Sequence, residues 1–179
     1  MESILPGCGG FRLLEVFFKE PGGNFTLRDA ARAAGMSASA AKKYCDHYVQ
    51  AEVLLEKRIG TARVFSLNNE FYLVKQAKSL YLLSALHEAG IEKAAKNYIS
   101  MAVYGSSVSG GYDEKSDIDL LVVGGKLDDK KISAIQEKLG KDLQVTHLAL
   151  SAWSEKKESM AAFAMQILMR HVLVGGEPL

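Results

Sequence analysis

Gly105-Ser106-Ser107-Val108-Ser109-Gly110-Gly111-Tyr112-Asp113-Glu114-Lys115-Ser116-Asp117-Ile118-Asp119-Leu120 is the stretch on which the reading of this chain turns. A turn of small residues follows one apolar strand, Tyr98–Tyr104, and two carboxylates then alternate along the next. Asp117 and Asp119 are two positions apart, so in a strand they project from one face with alpha-carbons roughly 7 Å apart. Ile118 and Leu120 point the other way, into a core. Two hard oxygen donors on one edge, beside a turn offering backbone N–H groups, suit a magnesium-bound triphosphate.

Around that stretch the C-terminal half alternates strand and helix. After Leu120–Val123, Gly124-Gly125 reads as a turn, residues 128–139 as a helix and Leu143–Leu150 as a third strand. Ser151 or Ser154 caps a final helix running to about His171. His147 reads as a strand histidine with a hydrogen bond, and Trp153, Met160, Met165 and Met169 read as core.

The N-terminal half has a different grammar. Phe11–Lys19 carries a helical apolar stripe closed by Pro21-Gly22-Gly23. Thr26 and Asp29 have capping-box spacing for a helix over about 27–34, with Gly35 as its stop. Ser37 starts a second helix to about Gln50. Two strands, residues 52–58 and 62–67, then flank Ile59-Gly60-Thr61 as a hairpin. Asn68-Asn69 opens a long helix, Glu70 to about Ala89, with Leu73, Ala77, Leu80, Leu83 and Leu86 as its apolar face. A short helix over residues 91–96 leads back to the strand at Tyr98.

Composition narrows the class. The 179 residues are 48% hydrophobic and 24% charged, ordinary for a globular protein. A formal net charge of +1 gives no global basic field, so any nucleic-acid surface must be local. Cys8 and Cys45 have no metal-ligand spacing, and a reducing cytoplasm is the simple reading. No stretch approaches a membrane span, and Met1-Glu2-Ser3 lacks the basic flank of a leader.

The compound pattern resembles the signature of minimal nucleotidyltransferases of the DNA polymerase beta superfamily: Gly105-Ser106, then Gly110, then Ser116-Asp117-x-Asp119. The resemblance implies that Gly105, Ser106 and Ser116 bind nucleotide, and that Asp117 and Asp119 are the catalytic, Mg²⁺-ligating carboxylates. It also implies an NTP substrate whose nucleoside monophosphate passes to a hydroxyl. Two positions depart from the family pattern. Ser109 stands where active members carry Arg. Gln144 stands at the expected place of the third carboxylate, and glutamine carries no charge and cannot act as a base. Asp142 shares its strand parity and substitutes if the register is shifted.

The first 67 residues resemble a winged helix-turn-helix. That resemblance implies DNA contacts from Ser37, Ser39, Lys42 and Lys43 on the second helix, and from Lys57, Arg58 and Arg63 on the hairpin. The expected fold is α+β in two domains: winged helix over 1–67, connecting helix over 68–90, and a polymerase-beta-like palm of small mixed sheet and flanking helices over 91–179. Two functional readings stay open. One is a nucleotidyltransferase with a protein, small-molecule or nucleic-acid acceptor; minimal members in toxin–antitoxin pairs modify a partner toxin. The other is a winged-helix, antitoxin-like regulator of double-stranded DNA whose nucleotidyltransferase domain is degenerate. A homodimer through the leucine-rich connecting helix accompanies the second.

Overall fold

The computed structural model describes residues 8–179. The start of the chain, Met1-Glu2-Ser3, lies outside them. The chain divides into two compact units: one reaching to Tyr81 and including Tyr112–Glu114, the other made of Leu82–Gly111 and Lys115–Leu179.

The N-terminal unit contains α1 (Gly9–Lys19), β1 (Phe25–Thr26), α2 (Leu27–Ala33), α3 (Ala38–Gln50), β2 (Leu54–Ile59), β3 (Ala62–Leu67) and the first turns of α4 (Tyr72–Ala89). Helix α2 starts where its cap dictates: the Thr26 hydroxyl accepts from Asp29 N at 3.2 Å and donates to the Asp29 carboxylate at 2.6 Å. In the same way the Ser37 hydroxyl caps α3 by accepting from Ala40 N at 3.2 Å. Strands β2 and β3 pair antiparallel, with Arg58 opposite Arg63, and β1 joins the far side of β3. The core gathers Leu13, Phe17 and Phe18 of α1, Ala30 and Ala41 of the next two helices, and Phe65 of β3. Cys45 is buried there, and that burial pushes its thiol up to about 11.

Within this unit Lys78 of α4 is buried. Its ammonium donates to Asn69 Oδ1 at 2.9 Å and to the Tyr112 carbonyl at 2.7 Å, and it lies 4.7 Å from the centre of the Tyr112 ring. The Tyr112 hydroxyl returns a bond to the Lys78 carbonyl at 3.2 Å. Burying an ammonium is tolerable because oxygens and a ring face replace its water. This corrects the expected face of α4. Leu86 is buried and Ala77 packs on the core as expected, but Leu73 and Leu80 are exposed, while Val74, Lys78 and Leu82 are buried. The helix is apolar on several sides, so periodicity alone did not select the buried one.

The C-terminal unit is a four-stranded sheet in the order β6-β5-β4-β7. Its strands are β4 (Ala95–Tyr104), β5 (Ile118–Leu127), β6 (Leu143–Leu148) and β7 (His171–Gly176). Helices α5 (Ser106–Ser109), α6 (Asp129–Leu139), α7 (Leu150–Glu158) and α8 (Ala162–Met169) complete it. Strand β4 pairs antiparallel with β5 and β7, and β5 pairs parallel with β6 through the α6 crossover. On one sheet face Tyr104, Leu121 and Val123 pack against Trp153, Ala164 and Ile167. On the other, Met101, Val103, Ile118, Leu120 and Val122 are fully buried.

Three expectations change here. The expected helix over 91–96 is a single 3₁₀ turn, Ile91–Lys93. Gly124-Gly125 lies inside β5 instead of ending it; both have positive φ, at 72° and 68°, and absorb a bulge opposite Tyr98–Ser100. The expected final helix is two helices broken at Met160 (φ 49°), and His171 opens a strand. The β-branched residues of His171-Val172-Leu173-Val174 favour that pleated conformation. Met160 and Met169, expected in the core, are exposed, whereas Trp153 is buried.

Candidate functional site

Strand β4 ends at Tyr104 on the sheet edge where β5 and β6 begin. The register there is specific: Tyr104 lies opposite Asp119, and Asp119 lies opposite Gln144. Residues paired across strands share a face, so these three side chains stand in one row. Asp119 is the second residue of β5, and Asp117 precedes the strand by one position.

Gly105 follows with φ 70° and ψ −145°, a region open essentially to glycine alone. A β-carbon at this position would collide with the Asp119 carboxylate. The glycine of the turn and the second aspartate are therefore one feature: the missing side chain is the space the carboxylate occupies. Ser106 to Ser109 then form a single helical turn. The Ser109 hydroxyl donates to the Ser106 carbonyl and accepts from Gly111 N, each at 3.2 Å, which braces the turn. Ser107 is fully buried, and its hydroxyl has no hydrogen-bond partner among the described residues. The Ser116 carbonyl accepts from Lys141 Nζ at 3.2 Å, anchoring the backbone just before Asp117.

The carboxylates form an electronegative pair. Burial, and secondly the charge of Asp117, push the Asp119 carboxyl above the ordinary carboxylate range. No ion pair joins either aspartate to a lysine, arginine or histidine among the described residues. Nor do three or more His, Cys, Asp or Glu side chains gather as a metal cage there. Two carboxylates without an ion-pair partner among the described residues are hard oxygen donors of the type that could hold a magnesium ion.

Gln144 is where the sequence placed it, exposed beside Asp119. The register is not shifted, so Asp142 does not take that position; its carboxylate accepts from Gln136 Nε2 of α6 at 3.3 Å. His147 Nε2 contacts the Gly124 carbonyl at 3.0 Å, the structural role expected of it. Sequence reasoning missed the floor below the aspartates. The Tyr104 hydroxyl reaches Thr146 Oγ1 at 3.3 Å, and Phe163 meets the Tyr104 ring edge-on at 6.1 Å. Tyr104 immediately precedes Gly105, and that adjacency was the available signal.

The basic residues of the N-terminal unit are placed unevenly. Ser39, Lys43, Lys57 and Arg58 are exposed on α3 and the β2–β3 hairpin. Ser37 spends its hydroxyl on the α3 cap and on Ser39 Oγ at 3.1 Å. Lys42 pairs with Asp46 at 2.9 Å. Arg63 pairs with Asp46 at 2.6 Å and with Glu56 at 2.7 Å, and its guanidinium lies 5.0 Å from the Phe65 ring centre. Asp46 falls below the ordinary carboxylate range through the Lys42 and Arg63 hydrogen bonds, and Glu56 falls through that of Arg63.

The sheet edge belongs to an α+β unit in which two carboxylates and a glycine-serine turn meet at the start of β5. Residues 89–174 match the family model for the nucleotidyltransferase domain. That match supports a nucleotidyltransferase domain over this stretch and nucleotidyl transfer as its chemistry. No curated protein matches the chain. Among the described residues no helix is long and apolar enough to cross a membrane.

Proposed function

We propose that the C-terminal unit binds a magnesium–nucleoside triphosphate and transfers its nucleoside monophosphate to a hydroxyl acceptor. The observation that carries this reading is the lodging of the Asp119 carboxylate against Gly105, which puts an acid and a phosphate turn in contact. Backbone N–H groups of Gly105 and Ser106, with the Ser106 and Ser116 hydroxyls, hold the phosphates. Asp117 and Asp119 hold the magnesium ion. When bound, that ion neutralises phosphate charge and polarises the reacting phosphoryl group. The sheet edge fixes the carboxylates before substrate arrives, so little reorganisation accompanies binding.

Gln144 favours a second reading. The residue beside Asp119 offers a carbonyl oxygen but cannot take the acceptor proton, so transfer is slow and the unit acts chiefly as a nucleotide sensor. In that case the N-terminal unit is a winged helix-turn-helix contacting double-stranded DNA through Ser39, Lys43, Lys57 and Arg58, because Arg63 and Lys42 are held by acids. A protein acceptor and a homodimer belong to the first and second readings respectively.

One experiment separates them. Pyrophosphate release from Mg-ATP, with water as the hydroxyl that takes the nucleoside monophosphate, is measured for the wild type and for Gln144→Asp, with magnesium-dependent ATP binding followed by calorimetry. Binding with release that rises about a hundredfold in Gln144→Asp identifies an acid-deficient transferase. Binding with no release in either form supports the sensor. Absence of magnesium-dependent binding contradicts both.

A further inference from the structure

The row through the candidate site has a fourth member that sequence reasoning left in a helix. His171, the first residue of β7, lies opposite Tyr104. The row across the sheet is therefore Gln144, Asp119, Tyr104, His171, one residue from each strand. Since β7 runs antiparallel to β4, its first residue lies at the end of β4 from which the Gly105-Ser106 turn departs. His171 flanks that turn on the side away from the carboxylates, about 10 Å from Asp119 at two strand spacings.

The ring is half-buried and fixed. Nδ1 lies 3.0 Å from the Ile167 carbonyl of α8. A carbonyl only accepts, so Nδ1 carries the hydrogen, and Nε2 is the nitrogen left to meet a ligand. The turn itself offers neutral donors alone. Ser109 stands in the place of the family's arginine, and its hydroxyl is consumed in bracing the turn. A triphosphate with its reacting end at Asp117 and Asp119 still carries negative charge at its far end after one magnesium ion binds.

On the reading that this site takes a magnesium–nucleoside triphosphate, we infer that His171 is a phosphate-contact residue for the terminal phosphates, supplying the cation that the Gly105–Ser109 turn does not itself offer. The bound form is the imidazolium, with Nδ1–H on Ile167 and Nε2–H on a phosphate oxygen. A charge-assisted bond of this kind is stronger than a neutral one. The contact discriminates by chain length, because a monophosphate held at the aspartates does not extend to it.

The test is calorimetric titration of the full chain with Mg-ATP and with Mg-AMP, for wild type, His171→Gln, His171→Arg and, as the rival cation, Arg170→Ala. The expected result is a loss of about tenfold in Mg-ATP affinity for His171→Gln, with Mg-AMP affinity unchanged. His171→Arg retains Mg-ATP affinity, and so does Arg170→Ala. Equal loss for both nucleotides in His171→Gln, or no loss for either, overturns the inference while wild-type Mg-ATP binding keeps the nucleotide site. Failure of the wild type to bind Mg-ATP overturns both. A wild-type measurement covers the case in which the variant does not fold. The imidazole nitrogen-15 signals of His171 should move on addition of magnesium tripolyphosphate, and signals that stay fixed at saturation would sink the inference.

Discussion

The two units treat charge in opposite ways. In the N-terminal unit, Arg63 is gripped by Asp46 and Glu56, and Lys42 adds a second cation to Asp46, so acids and bases cancel locally. In the C-terminal unit, Asp117 and Asp119 share one edge, and no lysine or arginine pairs with them among the described residues. Their titrations diverge accordingly. Asp46 and Glu56 are held below the ordinary carboxylate range by hydrogen bonds from cations, whereas Asp119 is held above it by burial and by Asp117. Charge matched within the fold belongs to the structure; charge left unmatched at a strand edge is what supports the proposed ligand site. A list of acidic and basic residues shows neither, because the distinction lies in partners.

The largest test of this contrast is Gly105→Ala. The left-handed backbone and the collision with the Asp119 carboxylate should together cost about 1–3 kcal/mol of stability, seen as a lower chemical denaturation midpoint. Mg-ATP binding should fall with it. An alanine variant of wild-type stability that still binds nucleotide would show that the turn and the aspartate are independent.

Asp119→Asn sharpens the comparison by separating function from stability. A carboxyl held above its ordinary range in the folded state binds its proton more tightly there than in the unfolded chain. Stability therefore falls as pH rises from the ordinary aspartate range through the raised value. Removing that charge should raise the melting temperature at neutral pH in the absence of divalent metal, while Mg-ATP binding is lost. The Asp46 and Glu56 pairs carry the opposite sign: their stabilisation is present above the ordinary carboxylate range and is lost as pH falls from that range through their lowered values. Acid titration of Arg63→Ala should show less of that loss, the remainder coming from the Lys42–Asp46 pair. A melting temperature that drops in Asp119→Asn would remove the unmatched-charge argument.

The smallest effect concerns duplex DNA. Lys57→Ala with Arg58→Ala should reduce the salt slope of binding by about two, and Arg63→Ala should leave it nearly unchanged because its charge is already neutralised. Equal slopes in both variants would mean that Arg63 releases its acids on contact.

Much of this was legible in the chain. Thr26 and Ser37 announce their helices because capping is a local bond between residues three apart. The glycine-serine turn and the paired aspartates were legible because strand alternation fixes their faces. Gln144 was found because the strand that starts one residue earlier, at Leu143, sets its parity. The remainder depends on contacts distant in sequence. Nothing local says that Gly105 is a vacancy for Asp119, that Arg63 is held by Asp46, or that His171 begins a strand beside Tyr104. The apolar run around His171 is compatible with helix or strand, and only its pairing with β4 decides. Lys78 was missed for the same reason, since the oxygens and ring that admit it to the interior come from Asn69 and Tyr112.

The most direct test of the central claim is an electron paramagnetic resonance titration with Mn²⁺, which takes the same oxygen ligands as Mg²⁺. With ATP present, the wild type should bind one Mn²⁺ whose lines broaden with oxygen-17-labelled phosphate, and Asp117→Asn/Asp119→Asn should bind none. Equal Mn²⁺ binding in the double variant, or no ATP-dependent binding in the wild type, would contradict the assignment of this edge as a nucleotide site.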